Sequence, residues 1–166
     1  MRVIGIDPGT LALGWGVVEQ EGTRRRHVAH GVVRTPKAGT LADRLCVIDE
    51  ALREVLTLYR PDTSAVESIF YSKDPQSAAK LGHARGVVLL VLRRAGLTVH
   101  EYPPARVKRV VVGRGRADKH QVACLVAATF GLDDLPPSDA ADALAVALTC
   151  CASVEFDRAL ARAPRR

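Results

Sequence analysis

The segment Arg2-Val3-Ile4-Gly5-Ile6-Asp7-Pro8-Gly9 decides the fold. It is a short apolar run with no polar alternation, as expected of a strand covered on both faces, and Pro8-Gly9 stops it. Asp7 therefore stands at the carboxyl end of a strand, where open α/β sheets gather their functional groups. Gly14 to Glu19 and Arg26 to Val33 read as two further strands around the turn-prone Gln20-Glu21-Gly22-Thr23, so the first three strands form a meander. From Thr40 to Tyr59 apolar residues recur at spacings of three and four, which predicts a long amphipathic helix ended by Pro61. Ala65-Val66-Glu67 makes a brief strand, and Asp74-Pro75 caps a helix that runs to Gly96. Thr98 to Glu101 is a fifth strand. Asp118 with Gln121 forms a capping box for a helix closed by Gly131, and Pro136-Pro137 introduces a last helix to about Ser153. The class is α/β: a five-stranded mixed sheet flanked by helices.

With 166 residues there is room for one domain, placed at 1–153, followed by a basic, flexible tail at 154–166. Hydrophobic residues at 48% and charged residues at 25% are ordinary globular proportions. A net charge of +6 favours an anionic partner, nucleic acid before phosphometabolites. No apolar run approaches the ~20 residues of a membrane span, and Asp7 interrupts what would be a signal sequence, so a cytoplasmic protein with no membrane partner is expected. The cysteines Cys46, Cys124, Cys150 and Cys151 form no CxxC and are read as core thiols. His27 and His30, three apart in an extended segment, should point to opposite faces and not act as a ligand pair.

If the strands of Asp7 and Glu67 pair in parallel, these two acids are neighbours. Asp139 and Asp142, three apart, share one face of a helix that is otherwise apolar almost all round. Unpaired carboxylates there cost several kcal/mol in desolvation or become protonated, so something cationic should sit beside them. Taken alone, the pair also suits an N-cap and a solvated first-turn acid. Four carboxylates are the hard oxygen ligands that magnesium or manganese prefers, and two such ions can activate water and stabilise a leaving oxygen in phosphodiester cleavage.

Between Arg106 and Lys119 six basic residues face the single acid Asp118, and Gly113-Arg114-Gly115-Arg116 reads as a loop that contacts a phosphate backbone or else merely solubilises the surface. Ser68-Ile69-Phe70-Tyr71-Ser72-Lys73 follows Glu67 directly. Its two rings could stack on bases or serve as ordinary core aromatics. Gly82 and Gly86 strip side chains from one helix face, which either packs on the sheet or forms a twofold interface, assisted by the stripe Leu45, Ile48 and Leu52.

Asp7-Pro8-Gly9-Thr10, Ala65-Val66-Glu67 followed by Phe70, the run Lys80-Leu81-Gly82 with Ala84-Arg85-Gly86-Val87, Val107-Lys108 with Val111-Val112-Gly113, and Asp139-Ala140-Ala141-Asp142-Ala143-Leu144-Ala145 occur in this order. The ordered set resembles the RuvC Holliday-junction resolvase family from residue 1 to about 153. The resemblance implies a ribonuclease H-like fold, a homodimer, two magnesium or manganese ions per active site, and paired nicks at four-way DNA junctions in recombination and repair. It carries the four catalytic, metal-holding acids onto Asp7, Glu67, Asp139 and Asp142, the junction-contacting aromatic onto Phe70, and two important lysines onto Lys108 and Lys119. Tyr71, Lys73, Arg114 and Arg116 join these as DNA-contact candidates. Collaboration with the branch-migration proteins RuvA and RuvB is implied as well. Two alternatives stand beside this reading: a YqgF-like RNA-processing nuclease, which shares the opening motif, and a non-catalytic nucleic-acid-binding module. An actin-like phosphotransferase is excluded, because it needs a second domain with a second glycine-rich phosphate segment.

Overall fold

A computed structural model describes residues 1–68, 74–113 and 118–162, with side chains as far as residue 156. The candidates Phe70, Tyr71, Lys73, Arg114 and Arg116 lie outside the described residues. The elements follow in the order β1 (Arg2–Asp7), β2 (Ala12–Glu21), β3 (Arg24–Arg34), α1 (Leu41–Tyr59), β4 (Thr63–Glu67), α2 (Pro75–Arg94), β5 (Val99–Tyr102), α3 (Pro104–Val112), α4 (Lys119–Phe130) and α5 (Ser138–Arg162). The strands form one mixed sheet in the order β3-β2-β1-β4-β5. As the meander requires, β1 to β3 are antiparallel neighbours, whereas β4 lies parallel to β1 and β5 parallel to β4.

Three of the helices, α1, α2 and α4, begin where a short polar side chain accepts orphan backbone N–H groups. Thr40 with Asp43 and Asp118 with Gln121 complete capping boxes on α1 and α4, and Asp74 accepts from the amides of Gln76 and Ser77 at the start of α2. The helices then divide between the two faces of the sheet. On one face Ile48 and Leu52 of α1 and Val88 and Leu92 of α2 are sealed against Ile4, Ile6, Leu13, Val17 and Val66. Ile48 and Leu52 are thereby consumed by the sheet, so only Leu45 of the expected stripe remains for an interface. On the other face α5, buried from Ala140 to Cys151 except at Asp142, packs on Val3, Val18 and Ala65 beneath α3 and α4.

Four expectations are corrected. The basic segment is not all loop, because Arg106 to Val112 belongs to α3, where Val107 is buried against the α5 layer and anchors one helical face. The basic tail does not begin at residue 154: α5 continues to Arg162, held where Val154 packs on the core and Glu155 pairs with Arg25 at 2.8 Å. His27 and His30 do not point apart. A register shift between Val17 and Val18 skips one residue of β3, turns both imidazoles to the α5 side, and leaves His27 Nε2 and His30 Nδ1 2.8 Å apart. Cys150 and Cys151 are core thiols as expected, but Cys46 is exposed.

Candidate active site

Parallel pairing of Ile6 with Val66 sets the carboxyl ends of β1 and β4 side by side, so Asp7 and Glu67 emerge as neighbours. Asp7 lies opposite Gly14 on the other side. There the missing side chain matters: a Cβ on Gly14 would fall 1.9 Å from the carbonyl oxygen of Asp139, and one on Gly5 would fall 2.1 Å from that of Ala143. With Gly16 beneath Leu144, these glycines let the backbone of α5 rest directly on β1 and β2. Two strand ends and one helix start thus bring Asp7, Glu67, Asp139 and Asp142 to one end of the sheet.

The electrostatics record that convergence. Asp7 is pushed up to about 7, first by burial and then by the negative charges of Glu67, Asp142 and Asp139, while Lys119 opposes the rise. Glu67 is also raised, by burial and by Asp142, with Lys119 and Lys108 opposing. Lys119 Nζ donates to Asp142 Oδ2 at 3.1 Å, and this carboxylate holds the ammonium above its ordinary value. The cation that the acids demand is therefore partly supplied by Lys119, whose side chain remains 70% exposed and free to turn to another anion. Lys108, on α3, faces the same cluster closely enough to act on Glu67.

The donors are chemically suited to a hard divalent cation: four carboxylates, among them Asp7, whose surroundings disfavour its charge. Among the described residues no three His, Cys, Asp or Glu side chains converge on one ligating point. Asp142 is engaged by Lys119, and a cation would have to draw the carboxylates in against their mutual repulsion.

Arg85 is the residue that sequence reasoning passed over. From the middle of α2 its guanidinium reaches the main-chain carbonyl of Glu67 at 2.9 Å and pairs with the carboxylate of Glu101 on β5. The one available signal was a lone arginine set between the small residues Ala84 and Gly86.

The sheet order and its flanking helices define a ribonuclease H-like protein, with four carboxylates at one end of the sheet. The family model for the crossover junction endodeoxyribonuclease RuvC matches residues 3–150, and the chain belongs to that family. A RuvC from Sorangium cellulosum is 55% identical over 170 residues, spanning 100% of this chain and 95% of the relative. One from Heliobacterium modesticaldum is 46% identical over 157 residues, spanning 94% and 97%. The solved structure of Thermus thermophilus RuvC in complex with a Holliday junction substrate superposes with a TM-score of 0.88 at 39% identity, covering 95% of this chain and 96% of that one. A Fowlpox virus resolvase bound to junction DNA, 15% identical with a TM-score of 0.58, shares the fold. Membership sets this chain apart from the YqgF-like alternative.

Proposed function

We propose that the chain is a structure-selective endodeoxyribonuclease that resolves four-way DNA junctions by paired symmetric nicks in recombination and repair. The observation that carries this reading is the gathering of Glu67, Asp139 and Asp142 around Asp7 at one sheet end, all three bearing on its charge, in a chain whose family relatives include a RuvC bound to a Holliday junction. These four acids would hold magnesium or manganese, two ions per site. When bound, such ions supply positive charge to the scissile phosphate and to the attacking water. Lys119 and Lys108 attract the phosphate backbone, and Lys119 exchanges its contact with Asp142 for that anion as DNA arrives. Arg114 and Arg116 are further candidates for phosphate contact, and Phe70, with Tyr71 and Lys73, for contact with an opened base.

Two symmetric nicks require two active sites, so a second copy of the chain is needed. The surface for it is the open face of α2. A Cβ on Gly82 or Gly86 would meet nothing within 4 Å, Leu90 is 48% exposed, and Leu45 and Val87 flank the same groove. RuvA and RuvB are the expected branch-migration partners, and the cytoplasm the expected compartment. Among the described residues no helix is long and apolar enough to cross a membrane.

The test is cleavage of a synthetic four-way junction beside linear duplex and structured RNA, with and without magnesium or manganese. Asp7→Asn, Glu67→Gln, Asp139→Asn and Asp142→Asn should each remove most cleavage while junction binding survives, because losing a ligand's charge weakens metal binding without repelling DNA. Two or more of these variants cutting at near wild-type rates would overturn the assignment.

A further inference from the structure

The Glu67–Ser68 peptide unit is gripped from both sides. Its N–H, on Ser68, donates to the Tyr102 carbonyl at 2.9 Å, completing the ladder between β4 and β5. Its carbonyl, on Glu67, accepts from Arg85 Nη1 at 2.9 Å. A peptide unit is planar, so holding both polar ends fixes the ψ of Glu67 and the φ of Ser68 together. The plane of that peptide bears on where the Glu67 carboxyl stands relative to Asp7.

Arginine suits this position for reasons of shape and charge. Its side chain is only 13% exposed, an expensive place for a permanent cation unless each donor is engaged. Nη1 serves the Glu67 carbonyl while Nη2 serves the Glu101 carboxylate on the adjacent strand, so the rigid fork ties α2, β4 and β5 at one point. Lysine has the charge but no planar fork, and glutamine could reach the carbonyl with neither the charge nor the second strand. The neighbouring residues on α2 add a further link: Gly86 and Gly82 lie on the face assigned to the second copy of the chain, so the same helix faces the other protomer and grips the catalytic strand.

We propose that Arg85 is a positioning residue of the nuclease site, which, braced by Glu101, clamps the Glu67–Ser68 peptide and so aims the Glu67 carboxylate. The proposal rests on the nuclease reading given above.

The experiment compares wild type, R85Q, R85K and E101Q by single-turnover cleavage of a four-way junction at saturating protein with magnesium. Junction Kd in chelator, mass by light scattering, and exchange of the Ser68 amide in the metal-free protein are measured alongside. R85Q should cleave about tenfold or more slowly, as misplacing a reacting group by a fraction of an ångström does, with Kd within about twofold of wild type, unchanged dimer mass and faster Ser68 exchange. R85K should recover part of the rate, and E101Q, which frees the guanidinium from β5, should lose a smaller factor. R85Q cleaving within about twofold of wild type, or slowing only in proportion to lost junction binding, would overturn the proposal. If R85Q does not fold, E101Q decides: a wild-type rate and wild-type Ser68 exchange in that variant would overturn it equally. A wild-type protein that leaves four-way DNA uncut would sink the nuclease reading instead, whereas Ser68 exchange would still report on the clamp.

Discussion

Asp7 carries the sharpest consequence of the carboxylate cluster. An unfolded aspartate titrates near 4, whereas this one titrates at about 7 in the folded protein because burial and three neighbouring acids disfavour its charge. Between those values the native state binds more protons than the unfolded one, so stability falls as pH rises from about 4 to 7 and stays lowered above. Asp7→Asn should therefore raise Tm at pH 8 in chelator and change it little at pH 4, and magnesium or manganese should raise the Tm of the wild type at pH 8 more than that of the variant. A variant less stable than wild type at pH 8 would contradict this. That the four acids would meet was legible in the sequence, since strand ends and a helical i, i+3 pair point them to one end of the sheet. Arg85 was not, because its partner is a main-chain carbonyl that no residue pattern announces. The His27 and His30 contact was hidden for a related reason, since one skipped residue in a ladder reverses which face a side chain takes.

At the scale of elements, the strands and long helices were readable from their hydrophobic period, with which a cap agrees at α1, α2 and α4. Thr40, Asp74 and Asp118 all cap the helices they precede. The short α3 was not readable: its apolar and basic residues look alike as helix or loop until Val107 finds the α5 layer. That helix places Lys108 on a rigid support. Lys108→Ala and Lys119→Ala should each flatten the salt dependence of junction binding by about one unit in log–log slope, checked by titration across ionic strength. Two unchanged slopes would return these lysines to plain surface roles. The seating of α5 makes a second demand. Gly14→Ala would thrust a methyl group into the Asp139 carbonyl, with backbone on both sides and no side chain able to yield. We expect a cost on the order of 1 to 3 kcal/mol, seen as a lower Tm, together with a fall in cleavage larger than that in binding because Asp139 and Asp142 move as a pair. An alanine variant with full activity would show that α5 can shift without consequence.

For the molecule as a whole, the described residues of a single chain gather one carboxylate cluster and leave the small-residue face of α2 open. Light scattering across dilution should report a dimer, which Gly86→Leu should weaken by obstructing close helix approach. A wild-type chain that stays monomeric at high micromolar concentration and still makes paired nicks would contradict the symmetric arrangement. The α2 face was visible in the sequence as a small-residue stripe, but only the fold showed that Ile48 and Leu52 of α1 are already spent on the sheet. The seating of α5 on β1 has one more implication, for synthesis. The ribosome delivers Asp7 at the start of the chain and Glu67 some sixty residues later, yet Asp139 and Asp142 ride on a helix that follows the entire sheet. A nascent chain halted before Ser138 holds two of the four acids and lacks the helix that covers one face of its sheet. The last two carboxylates of the cluster and the helix that completes the hydrophobic core thus arrive in the same stretch of translation, so an interrupted product exposes the apolar face of its sheet.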